Sequence, residues 1–174
     1  GNKELIEIIG QAIDDEYIKE LTTISLSPEA ISRHKDMKIV YTPIHGTGVK
    51  LVPAALKAYG FTNIIHVPEQ DVVSGDFPTV ISPNPEEPAA LAMAVEKAKE
   101  TDAELVMASD PDADRVGAAV KNNEGEWVLL NGNQTALMFV YYLITRWKEL
   151  GKINGKEYIV KTIVTTETIK TIAE

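Results

Sequence analysis

The chain has 174 residues, 44% hydrophobic and 25% charged, no cysteine and a net charge of −9. Such a chain is long enough to bury a core without staples, and its composition excludes disulfides, zinc–thiolate sites and a disordered polymer. The acidic surplus argues against general nucleic-acid binding, although a local cationic pocket could still take a small phosphorylated ligand. No apolar stretch reaches the roughly 18 residues that a membrane span needs.

Residues 1–35 read as lead-in helices, because Leu5, Ile6, Ile8, Ile9, Ala12, Ile13, Tyr17, Ile18 and Leu21 recur at helical intervals, with Gly10 as a break. Gly1-Asn2-Lys3-Glu4 has neither an initiator Met nor a signal-peptide core and reads as a cut end. Ser27-Pro28-Glu29 supplies the N-cap, first-position proline and first-turn acid of a short helix.

The run 37–41 predicts a strand, followed by the loop Thr42-Pro43-Ile44-His45-Gly46-Thr47-Gly48 and a helix over 49–59 that Gly60 stops. A second strand over 61–67 ends at Pro68, giving a right-handed β-α-β crossover. Residues 69–85 are proline-rich and aperiodic, and a loop of that length is commonly functional. A helix over 86–99 leads to an apolar strand over 103–108. Strands over 116–120 and 126–130 then form a hairpin about Asn122-Asn123-Glu124-Gly125.

The expected fold class is α/β, a mixed sheet of β-α-β units flanked by helices with an antiparallel hairpin after the acidic loop at 110–115. From 134 to 150 a helix carries apolar residues around most of its circumference and requires cover on several faces. A strand over 158–164 and a short helix from Glu167 follow. The chain thus divides into lead-in helices (1–35), one complete unit (36–130) and the start of another (131–174).

Chemistry concentrates at Ser109-Asp110-Pro111-Asp112-Ala113-Asp114-Arg115, directly after an apolar strand. Three carboxylates within five residues repel one another unless a cation or strong donors neutralise them, and a hard divalent ion is the economical answer. Open α/β sheets also bind ligands outside the carboxyl ends of their strands. A calcium EF-hand loop fails, since Arg115 and Lys121 occupy its glycine and bidentate-glutamate positions. A haloacid-dehalogenase-type phosphatase with Asp110 as nucleophile remains an alternative, opposed by the third acid, Asp114.

Arg115 can either neutralise the loop as an ion pair or hold a phosphoryl group. Gly46 and Gly48 leave open a non-catalytic nucleotide-binding module with Glu69 as ribose acid, but Leu51 replaces the third glycine and a tight strand–helix turn is the ordinary explanation. His34, His45 and His66 are scattered and read as surface or packing residues; His45 alone lies where it could border a cleft.

Asp110-Pro-Asp-Ala-Asp-Arg115, with Phe77-Pro78-Thr79-Val80, Pro83-Asn84-Pro85-Glu86 and Thr42-Pro-Ile-His-Gly46 upstream, resembles the α-D-phosphohexomutase superfamily on its phosphoglucomutase and phosphomannomutase side. The resemblance covers nearly the whole chain, and the version of the acidic motif is similar to that of the phosphoglucomutase and phosphopentomutase branch. It implies that 36–130 is the family's second domain and that 131–174, with Asn131-Gly-Asn-Gln134 and Lys161-Thr-Ile-Val-Thr-Thr166, opens its third.

Such enzymes interconvert hexose 1-phosphate and hexose 6-phosphate through a phosphoserine and a bisphosphorylated sugar. The resemblance implies Mg²⁺ held by Asp110, Asp112 and Asp114, with Arg115 on the transferring phosphate. It also implies a cytoplasmic enzyme whose partners are the sugar phosphates and the remaining domains of the same chain. No phosphoserine loop of the family is found in these residues, so this piece alone is expected to be inactive, and the preferred sugar is not legible.

Overall fold

β-branched and apolar residues dominate 38–42, where Lys38–Thr42 form β1 of a computed structural model in which residues 3–174 are described. The other strands are β2 (Asn63–His66), β3 (Leu105–Ser109), β4 (Val116–Lys121) and β5 (Trp127–Leu130). They form one five-stranded sheet in the order β2-β1-β3-β4-β5. β1 lies parallel to both β2 and β3, whereas β3, β4 and β5 run as an antiparallel meander. The expected mixed sheet with its terminal hairpin is therefore what the chain builds.

Among the described residues six α-helices accompany the sheet: α1 (Gly10–Thr23), α2 (Pro28–Arg33), α3 (Gly48–Tyr59), α4 (Pro88–Thr101), α5 (Gly132–Glu149) and α6 (Thr168–Ala173). Gly10, at φ +63°, breaks the lead-in segment between a short 3₁₀ turn at Lys3–Leu5 and α1, as its position predicts. Ser27 occupies the N-cap of α2 but makes no capping bond. Its hydroxyl instead accepts a hydrogen bond from Tyr142 of α5 at 2.9 Å.

Period-two alternation splits β1 between two environments. Val40 joins Val106, Ala108 and Ala119 against Ala90, Leu91, Ala94 and Ala98 of α4, and small alanines let that helix lie close on the sheet. Ile39 and Tyr41 are equally buried but stand outside that cluster, and the Tyr41 hydroxyl reaches the start of α3 beside Gly48.

Two expectations differ from the structure. Residues 158–164 form no strand: Tyr158 and Ile163 are 85% and 97% exposed, and no described strand lies alongside to accept their hydrogen bonds. A strand exists only where a neighbour completes its ladder, which a local apolar pattern does not supply. α5 begins with a reciprocal capping box between Asn131 and Gln134, yet none of its residues is buried. Met138, Phe139, Tyr141, Tyr142, Leu143 and Trp147 remain exposed, so the cover that its pattern requires is absent among the described residues.

Candidate metal centre

β3 delivers the chain to the acidic loop and β4 carries it away, with Ser109 paired to Val116 at the mouth of the connection. The six intervening residues fold into a tight turn. The Ala113 N–H donates to the Asp110 carbonyl at 3.0 Å, and Ala113 sits at φ +60°, unusual for a residue with a side chain. The Arg115 N–H donates to Asp110 Oδ1 at 2.9 Å, so Asp110 is 8% exposed and anchored while Asp112 and Asp114 face solvent.

One carboxylate oxygen from each of Asp110, Asp112 and Asp114 lies within 4.8 Å of the other two. The structure thus brings together the three acids singled out from sequence. Their mutual repulsion is visible at Asp114: a hydrogen bond that its protonated form makes to Asp110, with the charges of Asp112 and Asp110, raises its carboxyl above the ordinary value. Arg115 opposes this weakly, because its Nε stands 3.9 Å from both Asp110 Oδ2 and Asp114 Oδ1 and its side chain is 61% exposed.

The donor set is all oxygen, anionic and partly open. It fits a hard divalent cation that keeps water or a phosphate oxygen in its remaining positions, and it does not suit a soft ion.

The loop rests on the turn between β1 and α3. A Cβ added at Gly46 would overlap the backbone of Pro111, with the Pro111 carbonyl oxygen 2.7 Å away, so only glycine permits this approach. Thr47 donates to that same oxygen twice, from its N–H at 2.8 Å and from its hydroxyl at 3.0 Å. Gly48 in turn packs against the Tyr41 and Ser109 hydroxyls. The two glycines therefore serve contact with the acidic loop, and the nucleotide-loop reading loses its basis. Thr47 and Tyr41 are participants that the sequence did not reveal; the Gly-x-Gly spacing was the available signal, and it did not say what approached.

His45 does not border a cleft. It is 1% exposed, its Nδ1 lies 2.8 Å from the Val72 carbonyl and its Nε2 lies 2.8 Å from Thr79 Oγ1. Nδ1 donating to Val72, and Thr79 donating to Nε2 while accepting from Gln70, satisfies every group. The Thr42 hydroxyl donates to Gln70 Oε1 at 2.7 Å. The long connection between β2 and α4 is thus pinned from within by polar side chains of the same turn that supports the acids. Glu69, the candidate ribose acid, is simply exposed. A groove of about 570 Å³ lies elsewhere, along α5 and residues 153–159.

Residues 15–125 match the family model described as phosphoglucomutase/phosphomannomutase, alpha/beta/alpha domain II. The chain is 40% identical over 141 residues to a probable phosphoribomutase of Schizosaccharomyces pombe, covering 80% of this chain and 24% of that protein. It is 33% identical over 178 residues to a phosphoglucomutase of Staphylococcus haemolyticus, covering 99% of this chain and 31% of that protein. The chain thus spans less than a third of either relative's length. Its fold matches a phosphoglucomutase/phosphomannomutase family protein of Burkholderia thailandensis with a TM-score of 0.60 at 24% identity, over 77% of this chain and 26% of that one. With the family model spanning most of the sheet and both strands that bracket the acidic loop, the chain belongs to the phosphoglucomutase/phosphomannomutase family.

Proposed function

We propose that this chain is the metal-binding part of a cytoplasmic phosphohexomutase, an intramolecular phosphotransferase that interconverts hexose 1-phosphate and hexose 6-phosphate through a phosphoserine and a bisphosphorylated sugar. Residues 36–130 are its second domain, and 131–174 begin a third whose remaining part covers the apolar face of α5. The observation that carries this reading is the convergence of three aspartates at the carboxyl end of β3, with oxygens within 4.8 Å.

In this reading Asp110, Asp112 and Asp114 hold Mg²⁺. The bound ion supplies positive charge that offsets the phosphoryl oxygens and aligns them, which is what phosphoryl transfer chiefly requires. Asp110, fixed by the Arg115 N–H, presents one carboxylate edge from a rigid strand end, and Asp112 and Asp114 close on it from the exposed turn. Arg115 holds the transferring phosphate. Its guanidinium is solvent-facing and, among the described residues, engaged only in two long ion pairs, so its donors are available for bidentate contact with an anion.

The serine and the sugar-selecting groups lie outside this chain, so the 174 residues alone bind Mg²⁺ weakly and turn over no substrate. The phosphatase alternative is disfavoured by Asp110 itself, which is nearly buried and already accepts a backbone hydrogen bond.

The test is Asp112→Ala in the full-length enzyme. Mutase turnover should fall by about 10² or more with the fold preserved, as expected for loss of preorganised charge stabilisation. Turnover near that of the unmodified enzyme would overturn the assignment.

A further inference from the structure

Thr47 stands at the N-cap of α3, where a threonine hydroxyl ordinarily accepts a hydrogen bond from an N–H of the first helical turn. Here it makes no such bond. The hydroxyl points out of the helix and donates to the carbonyl of Pro111, which also receives the Thr47 N–H. Pro111 lies between Asp110 and Asp112, so both lone pairs of a carbonyl inside the acidic turn are held by one residue from another element.

Strained backbone aims the contact. Ile44 and His45 adopt φ +47° and +64°, a region that a β-branched isoleucine rarely enters. The conformation is held by the Ile44 N–H on Thr42 Oγ1 at 3.1 Å, the Gly46 N–H on the Pro43 carbonyl at 2.9 Å and the His45 N–H on the Gln70 carbonyl at 2.8 Å. The result places Gly46 directly against Pro111 with no room for a side chain.

From this geometry we infer that Thr47 is a positioning residue for the metal loop, and that the 43–47 turn fixes the spacing of the aspartates before any ion arrives. The inference rests on the metal reading given above and adds to it a residue that touches neither ion nor phosphate. Groups that orient ligands from behind set affinity by limiting how far the ligands relax when the ion leaves.

The experiment is a Mn²⁺ titration of the full-length enzyme, with free ion counted by electron paramagnetic resonance and Tm recorded for each variant in metal-free buffer. Thr47→Val, which keeps the N–H bond and the side-chain shape, should raise the Mn²⁺ Kd about threefold to tenfold. Thr47→Ser should restore it to within about twofold, since the hydroxyl returns. Gly46→Ala, whose Cβ must displace Pro111, should weaken binding further while circular dichroism reports an intact fold. A Thr47→Val protein that loses Tm but binds Mn²⁺ as the unmodified enzyme does would reduce Thr47 to a structural residue and overturn the inference. An unmodified enzyme whose Mn²⁺ binding is absent, or indifferent to Asp112→Asn, would overturn the metal reading itself.

Discussion

Tyr41 of β1 and Ser109 of β3 share a 2.8 Å hydrogen bond between adjacent parallel strands, immediately beneath the first acid of the turn. The Tyr41 hydroxyl is buried, and burial raises it above the ordinary 10.0. A raised tyrosine contributes stability that is fully present below the unfolded value and is lost as pH climbs towards the folded one. Tyr41→Phe should therefore cost about 1 kcal/mol at neutral pH, from the lost bond and the stranded Ser109 hydroxyl. It should also flatten the alkaline decline. Urea midpoints at neutral pH and above pH 10 check both; equal alkaline slopes for the two proteins would refute the burial argument.

Asp114 has the same sign in the acid range, for a different reason. Its carboxyl is raised by Asp110 and Asp112, so ionising it opposes folding, and the metal-free chain should gain stability as pH falls through the raised value. Asp114→Asn should melt slightly higher than the unmodified chain in metal-free neutral buffer. The same substitution should abolish the rise in Tm that Mg²⁺ gives the unmodified chain. Scanning calorimetry with and without Mg²⁺ reads both, and a variant that melts lower in chelator would contradict the repulsion.

His45 holds the β2–α4 connection. His45→Leu removes the buried ring that joins the part-buried Val72 carbonyl and Thr79 hydroxyl and should cost about 1–3 kcal/mol. Limited proteolysis should then cut first within 67–87. A variant of normal stability whose cleavage begins elsewhere would remove the histidine from this role.

Gly117 of β4 faces Pro85 so closely that a Cβ would overlap the Pro85 carbonyl. Gly117→Ala should destabilise by about 1–3 kcal/mol through overpacking. Gly75→Ala, with nothing within 4 Å of the added carbon, should change little. Denaturant midpoints compare the pair, and equal effects would show that the 83–85 segment yields without cost.

The alternation of strand and helix from 37 to 130 was legible because it rests on local signals. Apolar runs bounded by proline and glycine, the stop at Gly60 and the turn at 122–125 each act within a few residues. The candidate metal site was legible for the same reason: three acids at alternate positions after a strand carry their electrostatic problem in the sequence itself. The segment at 158–164 was misread because a ladder needs a partner strand, which no local pattern reveals. The placement of His45 failed similarly. Position at a strand's carboxyl end suggested a rim, whereas the connection between β2 and α4 folds over it and supplies both ring partners.

By itself, then, the sequence determined the element order from 37 to 130, the mixed α/β class and which acids are candidate ligands, since each depends on neighbours along the chain. Tertiary structure alone decided that Thr47 and Gly46 meet Pro111, that Tyr41 lies under Ser109, and that α5 keeps an apolar face uncovered among the described residues. Those facts join residues up to 68 positions apart. They arise only when parallel strands bring distant turns to one edge of a sheet, where packing and hydrogen-bond geometry choose the partners.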